Sequence, residues 1–254
     1  MKLILTLYFL GLLYNVLGQN SFELPDDSFF RVNKVKQRKI VIESKVNSGV
    51  TIIDDFDQNG RLQKSTTCYD NHSPFCPQNK IYKYDSSGKL TEILNVNLNP
   101  IKESKQVYFM PLFYERFEYD SNNRLIRRLE VDSNNYTQTD FFLDYSARTK
   151  TENYYNLEHK ISTQNFYKLD LYNNIIMTKR CFNYSQPTQK CDSFETKNVY
   201  DENRHLVRML TERENYKEDI RFSFNQNGSI SYIEYFGKQG LFQKRNYTYS
   251  YWNE

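Results

Sequence analysis

The residues of this 254-residue chain that could do chemistry are three histidines, four cysteines and a series of spaced acids. The histidines are His72, His159 and His205, and none has a second histidine, a cysteine or an acid at metal-ligand spacing. The sequence contains no nucleophile elbow, no zinc-protease helix motif and no glycine-rich phosphate loop. We therefore expect no catalytic residues, no bound metal and no cofactor, and a protein that is not an enzyme.

The spaced acids belong to a short motif that recurs along the chain. An aromatic residue or leucine is followed by Asp or Asn, then a polar turn, then an aliphatic residue five positions after the acid. The copies are FDQNGRL at 56–62, YDSSGKL at 84–90, YDSNNRL at 119–125, LDLYNNI at 169–175, YDENRHL at 200–206 and FNQNGSI at 224–230, with a degenerate copy, LDYSART, at 143–149.

The residue types of the motif predict a β-hairpin turn. The acid can accept a backbone hydrogen bond two residues on, and a Gly or Asn three residues after the acid supplies the positive φ of a tight bend. These residues are Gly60, Gly88, Asn123, Asn173 and Gly228. A calcium site at the acids is the alternative, but turn capping already accounts for them.

Side chains on both sides of the turns alternate in polarity, as they do in strands with one buried face. After the third turn, for example, the alternation places Leu125, Arg127, Leu129 and Val131 on one face. Second turns are expected near 132–135, 156–159, 214–217 and 237–240. The predicted fold class is all-β, with tandem antiparallel β-hairpin repeats forming one extended, curved or spiralling sheet.

The motifs YDSSGKL, YDSNNRL and YDENRHL resemble the tyrosine–aspartate (YD) repeats of the RHS and teneurin families. The resemblance covers residues from about 50 to 242. In those families the repeats form long spiralling sheets that enclose cargo or present surfaces for adhesion, so the resemblance implies a sheet of hairpins. Because this array is far shorter and less regular than the arrays of those families, the resemblance does not imply a cargo cage.

The first 18 residues have the pattern of a secretory signal peptide. Lys2 precedes an apolar run from Leu3 to Leu17, and cleavage is expected before Gln19. A membrane-anchoring helix is the alternative, although the run is shorter than the roughly 20 residues needed to span a bilayer. The expected organisation is a signal peptide at 1–18, an N-terminal segment with the first strand or strands at 19–49, and a β-hairpin YD-like repeat domain at 50–254. We expect a secreted, extracellular or periplasmic protein with no membrane span in the mature chain.

The net charge of +3 is close to balance and gives no electrostatic argument for a nucleic-acid partner. The basic cluster of Lys34, Lys36, Arg38 and Lys39 is expected to be a solvated or edge-guarding strand face, and a polyanion-binding site is the alternative.

The position of the four cysteines within the repeats predicts how they pair. Cys68 and Cys181 each lie 11 residues after a motif acid, whereas Cys76 and Cys191 lie nine and ten residues before the next one. Each pair therefore flanks a long loop at the end opposite the motif turns. Since exported proteins are oxidised, we expect the bridges Cys68–Cys76 and Cys181–Cys191. Cys68 and Cys181 should share the face of the aliphatic residue that follows their turn.

Two further groups of residues are candidates for surface sites. Tyr247, Tyr249 and Tyr251 share one face of the last strand; packing against the neighbouring hairpin is expected, and an aromatic binding face for glycans or peptides is the alternative. Candidate glycosylation sites, if the source is eukaryotic, are Asn71, Asn135, Asn183, Asn227 and Asn246.

These features favour an exported, non-enzymatic repeat protein that acts as a binding or structural module. Its expected partner is a glycan, a surface polymer or another protein. The alternative is a periplasmic carrier or assembly factor that shelters an apolar ligand in a curved sheet.

Overall fold

A computed structural model describes residues 27–44, 49–69, 76, 78–100, 107–156, 158–184, 187–213 and 216–252. These residues form one short helix and sixteen antiparallel strands. The elements are α1 (Asp27–Val32), β1 (Val35–Ser44), β2 (Val50–Phe56), β3 (Leu62–Tyr69), β4 (Gln78–Tyr84), β5 (Leu90–Pro100), β6 (Val107–Tyr119), β7 (Leu125–Asp132), β8 (Thr137–Asp144), β9 (Thr149–Tyr155), β10 (Ile161–Leu169), β11 (Ile175–Phe182), β12 (Lys190–Tyr200), β13 (Leu206–Arg213), β14 (Tyr216–Phe224), β15 (Ile230–Gly237) and β16 (Gly240–Tyr251). The expected signal peptide lies outside the described residues.

The sheet closes into a barrel, so the prediction of an extended or spiralling sheet is wrong. Each strand pairs with its neighbours in the sequence, and the circle is completed because β1 pairs antiparallel with β16. In this seam Arg38 lies opposite Tyr249, and Ile40 lies opposite Tyr247. The motif encodes only a local hairpin and is compatible with an open array. Closure comes from pairing between the two ends of the sheet, which leaves no unpaired edge.

The motif turns lie at one end of the barrel, the motif end, and the remaining connections lie at the opposite end, the loop end. In the first motif turn, the N–H of Asp57 donates to the carbonyl of Arg61, and the N–H of Gly60 donates to the carbonyl of Asp57. The Asp57 carboxylate also accepts hydrogen bonds from the N–H groups of Asn59 and Arg61, both at 2.9 Å. The acid therefore caps its own turn, as the motif predicts.

The third residue after the acid has a positive φ in six of the seven motif turns of the described chain; in the degenerate copy the positive φ falls on Arg148, four residues after Asp144. The third residue has a positive φ at all five predicted positions, Gly60, Gly88, Asn123, Asn173 and Gly228. It is also the case at Arg204, which has a φ of 67° and carries a long side chain in a conformation that favours glycine. The sequence did not indicate this strained position, because the backbone pattern of the turn overrides the preference of the residue.

A β-bulge follows six of the seven motif turns in the described part of the chain and shifts the alternation of side chains. At the third turn Tyr119 pairs with Leu125, but the preceding Glu118 pairs with Arg127, so Ile126 is the extra residue. Leu125 is buried inside the barrel, whereas the side chain of Arg127 lies on the outer wall. The single face predicted for residues 125–131 is therefore wrong.

The apolar positions of the motif form a layer inside the motif end of the barrel. Phe56 pairs with Leu62, and both are less than 5% exposed. The tyrosine of one repeat reaches back to the repeat before it: the Tyr84 hydroxyl donates to the carbonyl of Leu62 at 2.8 Å. The helix α1 packs on this layer, since Phe30 stacks on Phe56 with ring centroids 4.2 Å apart. The motif thus builds both the turn and the adjoining core.

Candidate functional site

Next to the apolar layer, the barrel interior contains buried ion pairs. Glu115 is 3% exposed and lies 3.1 Å from Lys80 Nζ and 2.8 Å from Arg128 Nη2. Burial opposes its ionisation, but the two cations and a hydrogen bond from Asn95 hold the pKa of Glu115 below its usual value. Arg38, which the sequence placed in a solvated basic face, instead pairs inside with Asp54 at 2.7 Å.

A second interior pair lies on β9, where Lys150 Nζ is 2.8 Å from Glu152 Oε1 and both side chains are buried. The other carboxylate oxygen of Glu152 accepts hydrogen bonds from Tyr154, Asn165 and Tyr167, at 3.0, 3.1 and 2.8 Å. Burial lowers the pKa of Lys150 and opposes ionisation of Glu152, but Lys150 holds the pKa of Glu152 below its usual value. The charges of Lys150 and Glu152 are therefore neutralised by each other and by these hydrogen bonds, and they form part of the packed interior.

Both predicted disulfides are present, each with its Cα atoms 4.1 Å apart. Cys181 and Cys191 are direct partners on β11 and β12, and the other bridge joins Cys68, near the end of β3, to Cys76 at the loop end. The predicted face is wrong, because the bulge after each turn moves Cys68 and Cys181 to the outer wall.

The three tyrosines of the last strand share one face, and that face points into the barrel. Tyr249 and Tyr251 pack against the cluster of Phe30 and Phe56, and Tyr247 packs against a second core cluster. The Tyr249 hydroxyl donates to the carbonyl of Ile230 at 3.1 Å, and burial raises the pKa of Tyr249 to about 12. They belong to the core and do not form an outer binding face.

Four of the sequons lie in the described part of the chain. Asn135, Asn183 and Asn227 are exposed at turns. Asn246 is half-buried on β16 and donates a hydrogen bond to Glu43 at 3.1 Å. Asn71 lies outside the described residues. Glycosylation at these asparagines stays a prediction.

The two histidines of the described residues lie in separate turns. His159 stacks on Tyr136 at the loop end, and His205 Nδ1 lies 3.0 Å from the carboxylate of Asp201 at the motif end. His72 lies outside the described residues. The fold does not bring His159 and His205 together, because they belong to turns at opposite ends of the barrel.

The outer wall carries a groove of about 330 Å³ beside the degenerate motif copy. Its lining residues are Glu118, Ile126, Arg127, Phe142, Leu143, Asp144, Thr149 and Thr151. At this hairpin Asp144 pairs with Thr149 and Leu143 pairs with Lys150, so this motif turn has no bulge. The groove therefore lies between the bulge at Ile126 and the one motif hairpin of the described chain that departs from the repeat.

Phe142 provides the aromatic surface of the groove and is 41% exposed. The Arg127 guanidinium lies over its ring, 5.0 Å from the centroid. Asp140 holds this guanidinium through bonds of 3.0 and 2.9 Å, and Glu118 lies 3.3 Å from it. The positive charge is thus balanced by two acids, and the groove offers a fixed ring beside carboxylates and the hydroxyls of threonines.

Sequence reasoning did not single out Phe142. The available signal was the degenerate copy itself, because LDYSART ends in Thr149 where the other copies have an aliphatic residue. A repeat that breaks its own pattern marks a position where packing against neighbouring repeats is not the only constraint.

Comparison with known proteins finds solved structures of low similarity. No protein-family model matches the chain, and no curated protein matches it in sequence. A porin-like protein from Bacteroides uniformis is 10% identical, with 85% of this chain and 98% of that chain covered and a TM-score of 0.39. A porin-like protein from Bacteroides vulgatus is 11% identical, with 87% and 99% covered and a TM-score of 0.46. The TcdB2-TccC3 structure is 12% identical, with 77% of this chain and 10% of that chain covered and a TM-score of 0.33. Similarity of this size assigns neither a family nor an activity.

Within the described residues, no helix has the length and apolar character required to cross a membrane.

Proposed function

We propose that this protein is an exported, non-enzymatic binding module that holds a glycan in the outer groove at Phe142. The observation that carries the proposal is the coincidence of three features at one hairpin: a break in the repeat, a groove and an exposed aromatic ring. Tyr136 and Tyr172 are exposed as well but do not line the groove, whereas the half-exposed ring of Phe142 lies in it and is available there for a ligand.

The groove has the chemistry that a sugar ring requires. The C–H face of a pyranose is apolar and packs on an aromatic ring, while its hydroxyls need donors and acceptors at the rim. Phe142 supplies the ring, Glu118 and Asp144 supply carboxylate oxygens, and Thr149 and Thr151 supply hydroxyls. The backbones of these residues are held by strand pairing, so binding does not require a loop to become ordered.

The surroundings support a site on the wall rather than in the interior. Mid-strand positions of the outer wall carry ion pairs, for example Asp219 with Arg208 at 2.8 Å and with Arg221 at 2.9 Å, as expected for a surface in water. The interior instead contains the buried charges around Glu115 and Glu152, which suit an apolar ligand poorly. This disfavours the carrier alternative. Two disulfides accord with an exported protein.

A glycan array probed with the purified mature chain tests the proposal. We expect binding to a subset of glycans, and we expect Phe142→Ala to weaken it about tenfold, since it removes the stacking surface and the apolar contact. Phe236→Ala is the matched control, because Phe236 is also an aromatic residue under an arginine, with Arg221 4.3 Å from its ring centroid, but belongs to a regular repeat.

Circular dichroism of both variants verifies folding before the array is read. Equal weakening by both substitutions, or an array with no binding at all, contradicts a glycan site at Phe142.

A further inference from the structure

A row of outward-facing residues continues the groove across the neighbouring strands. The register places Phe142 opposite Thr151, Thr151 opposite Phe166, and Phe166 opposite Lys179. Since adjacent strands lie about 4.8 Å apart, the backbone positions of the two phenylalanines are separated by about 10 Å with Thr151 between them. Phe166 is half-buried, and its ring lies on the same wall as Phe142. The groove therefore has a second aromatic position one strand beyond its edge.

The second aromatic position is flanked by exposed lysines. Lys179 lies directly opposite Phe166, and Lys168 lies two residues further along the strand of Phe166 and opposite the groove residue Thr149. Both lysines are exposed, and neither has an acidic partner within the described residues. On this wall the register places Asp144 two strands from Lys168 and places Glu195 diagonally from Lys179 on the adjacent strand β12, where it forms no ion pair with Lys179. The lysine charges are therefore available to a ligand.

The two ends of the row carry opposite charges. Glu118 and Asp144 lie at the Phe142 end, where an anionic sugar would be repelled, whereas Lys168 and Lys179 lie at the Phe166 end. A chain that crosses the strands can stack an uncharged ring on Phe142, lie over Thr151 and stack a further ring on Phe166. Its anionic group then meets the two ammonium groups.

We infer that the ligand is a linear anionic oligosaccharide that crosses β8 to β11, with a carboxylate or sulfate held between Lys168 and Lys179. This inference rests on the proposed function and adds the second aromatic position, the direction of the chain and its charge. Lys168 and Lys179 are the residues that determine specificity for the acidic sugar, and Phe166 is the residue that makes affinity increase with chain length.

Calorimetry with three probes tests the inference: an otherwise neutral linear oligosaccharide that ends in one uronic acid, the uncharged methyl ester of that probe, and an otherwise neutral oligosaccharide of equal length that ends in one sulfated sugar. We expect the acidic probes to bind about tenfold more tightly than the ester, and this preference to decrease at high salt. Lys168→Ala and Lys179→Ala should each weaken acidic probes about two- to fivefold and leave the ester unchanged. Lys238→Ala, in an exposed turn at the loop end, is the control.

The outcomes separate this inference from the proposed function. If Phe142→Ala weakens binding but the lysine variants behave like Lys238→Ala, the anionic inference is overturned and the groove stands. If Phe142→Ala has no effect on any probe that binds, the groove itself is wrong. A carboxylate probe that binds without the sulfate probe, or the reverse, supports the inference and identifies the anion. Failure of all three probes to bind overturns the inference, while the array result decides the proposed function independently.

Discussion

The buried pair of Lys150 and Glu152 gives the sharpest test of the view that interior charges build the barrel and do not form a site. The two side chains are 5% and 7% exposed, and their charged atoms are 2.8 Å apart. Removing one partner of a buried pair costs about 3–5 kcal/mol, because the remaining charge stays in a poorly solvated place. We therefore expect Glu152→Gln to lower the free energy of unfolding by about 3–5 kcal/mol.

Lys150→Met should cost less, because the Glu152 carboxylate keeps hydrogen bonds from Tyr154, Asn165 and Tyr167. The double variant removes both charges and retains an amide that can bond with these donors. It should recover much of the loss, with a coupling energy of about 1.5 kcal/mol or more.

Urea unfolding followed by circular dichroism measures all four proteins with the disulfides intact. Each variant that folds should retain glycan binding. The reasoning is refuted if the two single substitutions are additive, or if Glu152→Gln changes stability by less than about 1 kcal/mol.

Three further predictions concern the same fold. Burial and the neighbouring Glu115 raise the pKa of Glu130. The protonated carboxyl therefore contributes stability below the unfolded pKa of roughly 4.3, and this contribution is lost as the pH rises through the raised value. Glu130→Gln should raise the free energy of unfolding at neutral pH and leave it unchanged in acid, as measured by urea titrations at both pH values. Arg204→Gly should raise the free energy of unfolding by about 0.5–1 kcal/mol, because φ is 67° at this position. Gly228→Ala should lower it by about 1 kcal/mol, because φ is 82° there; the cost comes from the backbone alone, since an added Cβ meets no atom within 4 Å. Changes of the same sign in the two variants would contradict this. Replacing Cys181 and Cys191 by alanine should cost about 2–3 kcal/mol, and an unchanged urea midpoint would show that the bridge constrains nothing.

The charged interior was not predictable from the alternation of side chains. A polar residue such as Glu152 in a strand normally indicates the solvent face, and the sequence contains no sign that its partners lie on β9 and β10. The bulges also shift the alternation of side chains, because one extra residue such as Ile126 exchanges the inner and outer faces for the rest of the strand. The YD-repeat resemblance stays a prediction.

By itself the sequence determined what is local. The motif acids, with Gly or Asn three residues later, specify the turns because the hydrogen bonds involved span only a few residues. The cysteine pairing followed for the same reason, since Cys181 and Cys191 are opposite residues of one hairpin. Tertiary structure alone decided closure of the barrel, the burial of Glu115 and the site at Phe142. These three features depend on the pairing of strands far apart in the chain or on the face that a bulge selects. The period of the repeat encodes neither the long-range pairing nor the choice of face.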